Sequence, residues 1–166
     1  MPGTGISRRT FLGAAAASAA ALSVHAEVAN ALPWWDVARA RIAAGAIGPV
    51  HSASAILAGN PGPWQELNTT HGMFIVPATV HAALGQLIRA TGAGAFRSIT
   101  TTGKDSVPGT FSMACATDNG VGIALATVNR PAGDLVTIRA ARGSIVVQNG
   151  TLSVLIDGVW STIELD

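Results

Sequence analysis

Charge is scarce in this chain. Asp, Glu, Lys and Arg together make up 11% of 166 residues, and lysine occurs once, as Lys104. Ten basic side chains stand against nine acidic ones, for a formal charge of +1, so no extended field exists to gather a polyanion. Nucleic acid and anionic lipid are therefore not the expected partners. Cysteine is as rare: Cys115 stands alone, which forbids an intramolecular disulfide even in an oxidising compartment. It alternates with Phe111 and Met113 and reads as a buried small hydrophobe. Missing too are a Gly-x-Ser-x-Gly elbow, a His-Glu-x-x-His helix and a phosphate-binding loop. The acids Asp134, Asp157 and Glu164 fall at strand ends or turns, a poor arrangement for paired-carboxylate glycoside chemistry, and Asp134 reads as a turn residue. The length allows one domain around one core.

What is present begins with Ser7-Arg8-Arg9-Thr10-Phe11-Leu12, followed by an Ala-rich, uncharged stretch through Val24. The paired arginines with Ser before and Phe-Leu after resemble the twin-arginine export motif, and the mild Ala/Gly hydrophobicity of the run suits that route. The apolar run is shorter than the ~20 residues a helix needs to cross hydrocarbon, so no stable membrane anchor is expected. A small-x-small cleavage site lies at Ala29-Asn30-Ala31, with Val24-His25-Ala26 as the alternative. Residues 1–31 thus read as a signal peptide and 32–166 as the mature domain, periplasmic or secreted. Cleavage after Ala31 removes Arg8, Arg9 and Glu27, leaving eight basic and eight acidic residues. Twin-arginine export carries folded proteins, which hints at a cofactor-dependent ancestry.

The mature sequence predicts two helices and a long series of strands. Trp34 to Ala44 has apolar residues at helical spacing, with Pro33 just before it and Gly45 placed to cap it. Pro49 forbids continuation, and Val50 to Leu57 alternates as a strand does. Residues 59–70, GNPGPWQELNTT, suit an irregular loop, in which Trp64 is either a substrate contact or a packed surface aromatic. From Pro77 to Thr91, Val80, Leu84, Leu87 and Ile88 form a helical stripe that ends at Gly92. Period two follows to the C-terminus, with strands at 95–102, 109–117, 121–129, 134–141, 144–148, 151–156 and 159–164. Asn149-Gly150 and Asp157-Gly158 are hairpin signals, because both turn residues need positive φ.

The pattern therefore predicts an α+β fold, a mostly antiparallel open-faced sheet of six or seven strands with two helices packed on one face. In the hairpin 109–129, Phe111, Met113, Val121, Ile123 and Leu125 should meet the helices. Ser112, Ala114, Ala116, Ala124, Ala126 and Val128 should form the other face. Two readings of that weakly polar face stand: solvated, or buried in a homo-oligomer.

Four segments in order, ARIAAGAIGPVHSASA, HAALGQLIRATGAGAFRSITTTG, FSMACATDNGVGIALATV and VTIRAARGSIVVQNGTLSVLIDG, resemble the C-terminal domain of the Gfo/Idh/MocA oxidoreductases. The resemblance covers nearly all of residues 34–166. It implies an α+β domain that, in such proteins, follows a Rossmann domain binding NAD or NADP and supports the substrate site and subunit contacts. Nothing here matches that Rossmann domain: Gly3-Thr4-Gly5 precedes the signal segment and Gly92-Ala93-Gly94 follows a helix, so neither sits between strand and helix in a βαβ unit. The family's Glu-Lys-Pro motif is absent, and Lys104 lies in a Gly-Lys-Asp turn. The resemblance implies no cofactor bound by this chain alone, and NAD(P) only if a separate dinucleotide-binding subunit exists.

The family pattern places an Asp and a His four residues apart on the helix, facing the substrate carbinol from one side. His81 matches that His, while Pro77 occupies the Asp position. His71 is a candidate second polar group at the same cleft. The alternative for His81 is a partly buried, hydrogen-bonded helix residue. Two His without a third ligand make a poor zinc site. Three readings follow: a binding or assembly module, holding a sugar-like ligand or capping a separate cofactor subunit; a cofactor-free enzyme on a sugar derivative, with His81 as general acid or base and His71 assisting; or a truncated relic of an exported sugar dehydrogenase.

Overall fold

A computed structural model describes residues 32–103, 110–128 and 133–165. The export-type segment 1–31 and Lys104 lie outside the described residues. The chain opens with helix α1 (Trp34–Ala43). Pro33 stands at its N-cap, and Gly45 at φ 70° lets the chain turn out of it. The amides of Gly45 and Ala46 donate to the carbonyls of Ile42 and Arg41, the paired bonds that satisfy a helix C-terminus when a left-handed residue follows it.

Strand β1 (Val50–Ala58) comes next, then a short hairpin of β2 (Trp64–Thr69) and β3 (Gly72–Pro77). The hairpin corrects the expectation of an irregular loop over 59–70. Pro61 and Pro63 are confined to its lead-in, and the remaining residues form an uninterrupted antiparallel ladder from Trp64 opposite Pro77 to Thr69 opposite Gly72. Pro77 closes β3 and caps helix α2 (Ala78–Thr91), so the helix begins one residue later than its stripe suggests. The α2 stripe is as expected, with Val80, Leu84 and Leu87 buried. At its other end Gly92 takes φ 66°. The Asn119 side chain then bridges the exit, donating to Gly92 O at 3.0 Å and accepting from Gly94 N at 3.1 Å.

The remaining strands are β4 (Phe96–Thr102), β5 (Phe111–Thr117), β6 (Gly122–Val128), β7 (Leu135–Ala140), β8 (Gly143–Gln148), β9 (Thr151–Ile156) and β10 (Val159–Glu164). With β1 they make one eight-stranded sheet, ordered β10-β9-β8-β7-β1-β6-β5-β4, slightly larger than expected. Pairing is antiparallel except between β1 and β6, which run parallel. β1 is inserted between β6 and β7, so the chain leaving β6 crosses the end of β1 before it enters β7. Two bonds mark the crossing: Gly59 N–H to Val128 O, and Ala58 N–H to Asp134 Oδ1 at 2.8 Å. The Asn-Gly and Asp-Gly turns hold as expected, with Asn149 at φ 51° and Asp157 at φ 48° ahead of their glycines.

Both helices pack on one face. α2 lies over β1 and β6, and α1 lies against α2, tied to it by Asp36 and Arg89 at 3.3 Å. Phe111, Met113, Val121, Ile123 and Leu125 are all buried on this side. The opposite face carries one row across all eight strands: Thr100, Ala114, Ala124, Ser54, Thr137, Val146, Ser153 and Thr162. Each is exposed or partly exposed, the small, weakly polar surface the alternation predicts.

Candidate functional site

The N-terminal end of α2 is where the resemblance directs attention, and its geometry starts with two prolines. The amide of Ala78 donates to Pro63 O, and that of Thr79 to Pro61 O, which the Thr79 hydroxyl also reaches at 3.0 Å. The β3–α2 junction thus has two of its leading N–H groups taken up within the chain, whereas a dinucleotide fold leaves such groups free for a pyrophosphate.

His81 lies in the second turn of α2 and is exposed. Its side chain makes no hydrogen bond within the described residues, which removes the alternative of a partly buried, hydrogen-bonded histidine. His71 occupies the turn between β2 and β3, where its Nε2–H donates to the carbonyl oxygen of Phe96. That bond fixes the hydrogen on Nε2 and pins the hairpin tip to the start of β4, beyond the C-terminal end of α2. Ten residues of helix separate His81 from Thr91, roughly 15 Å at the helical rise. The two histidines therefore sit toward opposite ends of α2 and share no cleft, contrary to the expectation that His71 assists His81.

Trp64 opens β2 opposite Pro77 and so belongs to the His81 end. It is 47% exposed and meets Phe111 edge to face at 5.8 Å between ring centroids, the geometry of an aromatic covering a core edge. Asp134 serves as a strand-end tie through its bond to Ala58. Cys115 is buried, and burial pushes its thiol up to about 11, which suits the packing role. Asp157 is held below the usual carboxylate range by its bond to the Arg142 guanidinium at 2.8 Å. Among the described residues no group of three His, Cys, Asp or Glu is placed to hold a metal ion. Likewise, no described helix is long and apolar enough to cross a membrane.

Two concavities lined by described residues bear on function. One, of about 360 Å³, lies on the open sheet face among Ser54, Thr100, Ala114, Ala124 and Ala126. The other, of about 300 Å³, lies on the helix side between Trp34 of α1, Gln86 of α2, Asp134, and the β8–β9 turn with Gln148 and Asn149. Of its lining, Asp134 reads in the sequence as a turn residue and Asn149 as half of a hairpin signal. Gln86 carried no signal, because an amide on a helix flank is unremarkable until the sheet end is folded against it.

No family model matches the chain, and no curated protein matches it. Solved structures do share its fold. An oxidoreductase from Agrobacterium radiobacter, in complex with NAD+, L-tartaric acid and magnesium, superposes with a TM-score of 0.58 at 15% identity, over 78% of this chain and 42% of that one. A levoglucosan dehydrogenase in complex with NADH and levoglucosan gives 0.57 at 15% identity, over 76% and 42%. A super-repressor mutant of Gal80p from Saccharomyces cerevisiae gives 0.64 at 14% identity, over 82% and 45%. The likeness is one of fold, and the chain spans less than half the length of each of these proteins.

Proposed function

We propose that this chain is an exported C-terminal-type domain of the Gfo/Idh/MocA oxidoreductases that acts as an assembly module through its open sheet face. It binds no dinucleotide of its own, and NAD(P) enters only through a separate cofactor-binding subunit that it caps. The observation that carries this reading is the breadth and composition of the open face. Eight strands ~4.8 Å apart and about six residues long span a patch of roughly 700 Å², close to the ~800 Å² per partner of a standard interface. Side chains such as Ala114, Ala124 and Thr137 lose little entropy on being covered, and a flat surface of them is self-complementary about a two-fold axis.

The test is the mass of the purified protein by size-exclusion chromatography with light scattering. A dimer is expected, reduced to a folded monomer by Ala124→Arg or Ala126→Arg, which place an uncompensated charge in the centre of the face. A wild-type protein that stays monomeric at micromolar concentration overturns the proposal. A second reading, cofactor-free chemistry on a sugar derivative with His81 as general acid or base, is favoured by one observation, that His81 is solvent-accessible and makes no side-chain hydrogen bond among the described residues. Turnover of a sugar without nicotinamide, abolished in His81→Ala, would establish it.

A further inference from the structure

We propose that the free edge of β10 is a second self-association surface, at which two copies of this chain pair their β10 strands antiparallel about a two-fold axis at Thr162. The contact extends the sheet at its rim and does not use the open face, so it stands independently of the assembly reading.

The argument begins with the two ends of the eight-stranded sheet, β4 and β10, which are built differently. At β4 the ladder slips between Phe96 and Ser98, leaving the charged Arg97 exposed at the irregularity, and the His71 ring bonds to Phe96 O. A slipped register, a charge and a covering turn are the usual means of keeping an edge from pairing. β10 shows none of the three among the described residues. It pairs with β9 without a break from Val159 opposite Ile156 to Glu164 opposite Thr151, and its six residues include no Pro, Lys or Arg. Two adjacent large apolar side chains stand on it, Val159 at 71% exposure and Trp160 at 54%. A regular edge that exposes apolar side chains is a template for another strand.

The direction of the backbone groups selects the partner. Asp157 and Gly158 take φ 48° and 87°, a two-residue turn with both φ positive, and such a turn is closed by hydrogen bonding between its flanking residues, here Ile156 and Val159. Bonding alternates along an antiparallel pair, so Val159, Ser161 and Ile163 bond inward to β9. The bond from Leu165 N–H to Gly150 O at 2.7 Å continues that alternation. The N–H and C=O groups of Trp160, Thr162 and Glu164 therefore point away from β9, where no described strand lies. A second β10 turned about Thr162 sets Thr162 opposite the partner's Thr162, and Trp160 opposite the partner's Glu164, so all six outward groups of each copy are paired. The same register places Val159 opposite the partner's Leu165. Glu164, the charged residue of the strand, then faces an indole and not its own like charge, the arrangement that antiparallel pairing favours. Because the β4 edge is blocked, β10 has no head-to-tail mate, and the contact closes at two copies without growing into a filament. Six residues of strand are about 20 Å long, and a contact of that length covers well under the ~800 Å² per partner of a standard interface. The association is accordingly weak.

The test is a dilution series of the 15N-labelled full chain from about 1 mM to about 10 μM. It is run on Ala124→Arg, so that pairing of the open face does not move the same signals. The amides of Trp160, Thr162 and Glu164 should shift with concentration while those of β4 stay fixed, and sedimentation equilibrium should give a dimer with a dissociation constant of about 1 mM or tighter. The mass of the wild type should double over the same range, whatever its state at micromolar concentration, so failure of the open-face dimer leaves this result readable. Thr162→Lys sets like charges opposite each other at the axis and should weaken the association at least about fivefold. Thr162→Val keeps the backbone and the strand preference and should leave it within about twofold. Signals and mass independent of concentration up to about 1 mM overturn the proposal, in favour of a strand from another protein at this edge. Shifts of β4 together with β10, or equal association of Thr162→Lys and Thr162→Val, also overturn it.

Discussion

A methyl group added at Gly143 would be a damaging small change in the sheet, because it meets backbone. Gly143 opens β8 opposite Ile156 of β9, and a Cβ built there would lie 1.9 Å from Leu155 O and 3.1 Å from Cγ2 of Ile47. The near atom is backbone, so no rotamer change relieves the contact. To reach 3.0 Å, below which real Cβ contacts essentially never fall, β9 must retreat by about 1 Å. A ladder hydrogen bond stretched by that amount from ~2.9 Å passes beyond bonding range. Losing two such bonds costs about 2 kcal/mol, and overpacking against the fully buried Ile47 adds about 1–3 kcal/mol. Gly143→Ala should therefore destabilise by about 3–5 kcal/mol, a large share of the ~5–15 kcal/mol that holds a domain of this size together. Gly85→Ala is the matched control: Gly85 lies in α2, is exposed, and a Cβ there meets nothing within 4 Å. It should stabilise by about 1 kcal/mol through helix propensity. Urea melts of both variants followed by circular dichroism read the two effects. A Gly143→Ala protein within about 1 kcal/mol of wild type would refute the close-approach reasoning.

Thr117 is 3% exposed, and its hydroxyl accepts from Val121 N–H and donates to Val121 O. Thr117→Val preserves shape but strands the Val121 N–H, while Val121 O keeps its bond from the Thr117 N–H, and a loss of about 1–3 kcal/mol is expected in the same urea melt. Cys115 should resist a thiol reagent at pH 8 in the native protein and react fully once unfolded. Its folded value of about 11 lies above the ordinary 9.0, so the stability it contributes is complete below pH 9 and is lost as pH rises toward 11, an order visible in melts across that window. His71→Ala removes the tie from the β2–β3 turn to Phe96 O. Faster amide exchange confined to β2 and β3, with the eight-stranded sheet unchanged, is the expected result.

The C-terminal strands were legible because each carries its own evidence. In β5, Phe111, Met113 and Cys115 point inward while Ser112, Ala114 and Ala116 point out, and the turns announce themselves through residues that tolerate positive φ. The β2–β3 hairpin was not legible for the opposite reason. β2 is mostly solvent-exposed, so Gln65, Glu66 and Asn68 record no apolar face, and Pro61 and Pro63 dominate the window although they only lead into it. Nor could the parallel pairing of β1 with β6 be read from a local pattern. It needs β1 to be inserted between two strands lying some seventy residues further on, a choice made by tertiary packing.

The helix-side cleft fails to show in the sequence on the same grounds, and Asp134 marks the boundary. Its residue type and its place after Pro131 and Gly133 suffice for a turn reading. Its bond to Ala58 N–H spans 76 residues, and that bond anchors the crossing over β1 that brings the start of β7 beside Trp34 and Gln86. The part of Asp134 that meets the crossing is its Oδ1 acceptor. Asp134→Asn keeps an oxygen acceptor at that position, whereas Asp134→Ala leaves the amide of Ala58 without it. If the crossing depends on the acceptor, Asn should retain wild-type stability, while Ala should lose about 1 kcal/mol and speed exchange at Ala58. Equal losses in Asn and Ala would instead place the carboxylate charge, and not the acceptor, at the root of the crossing.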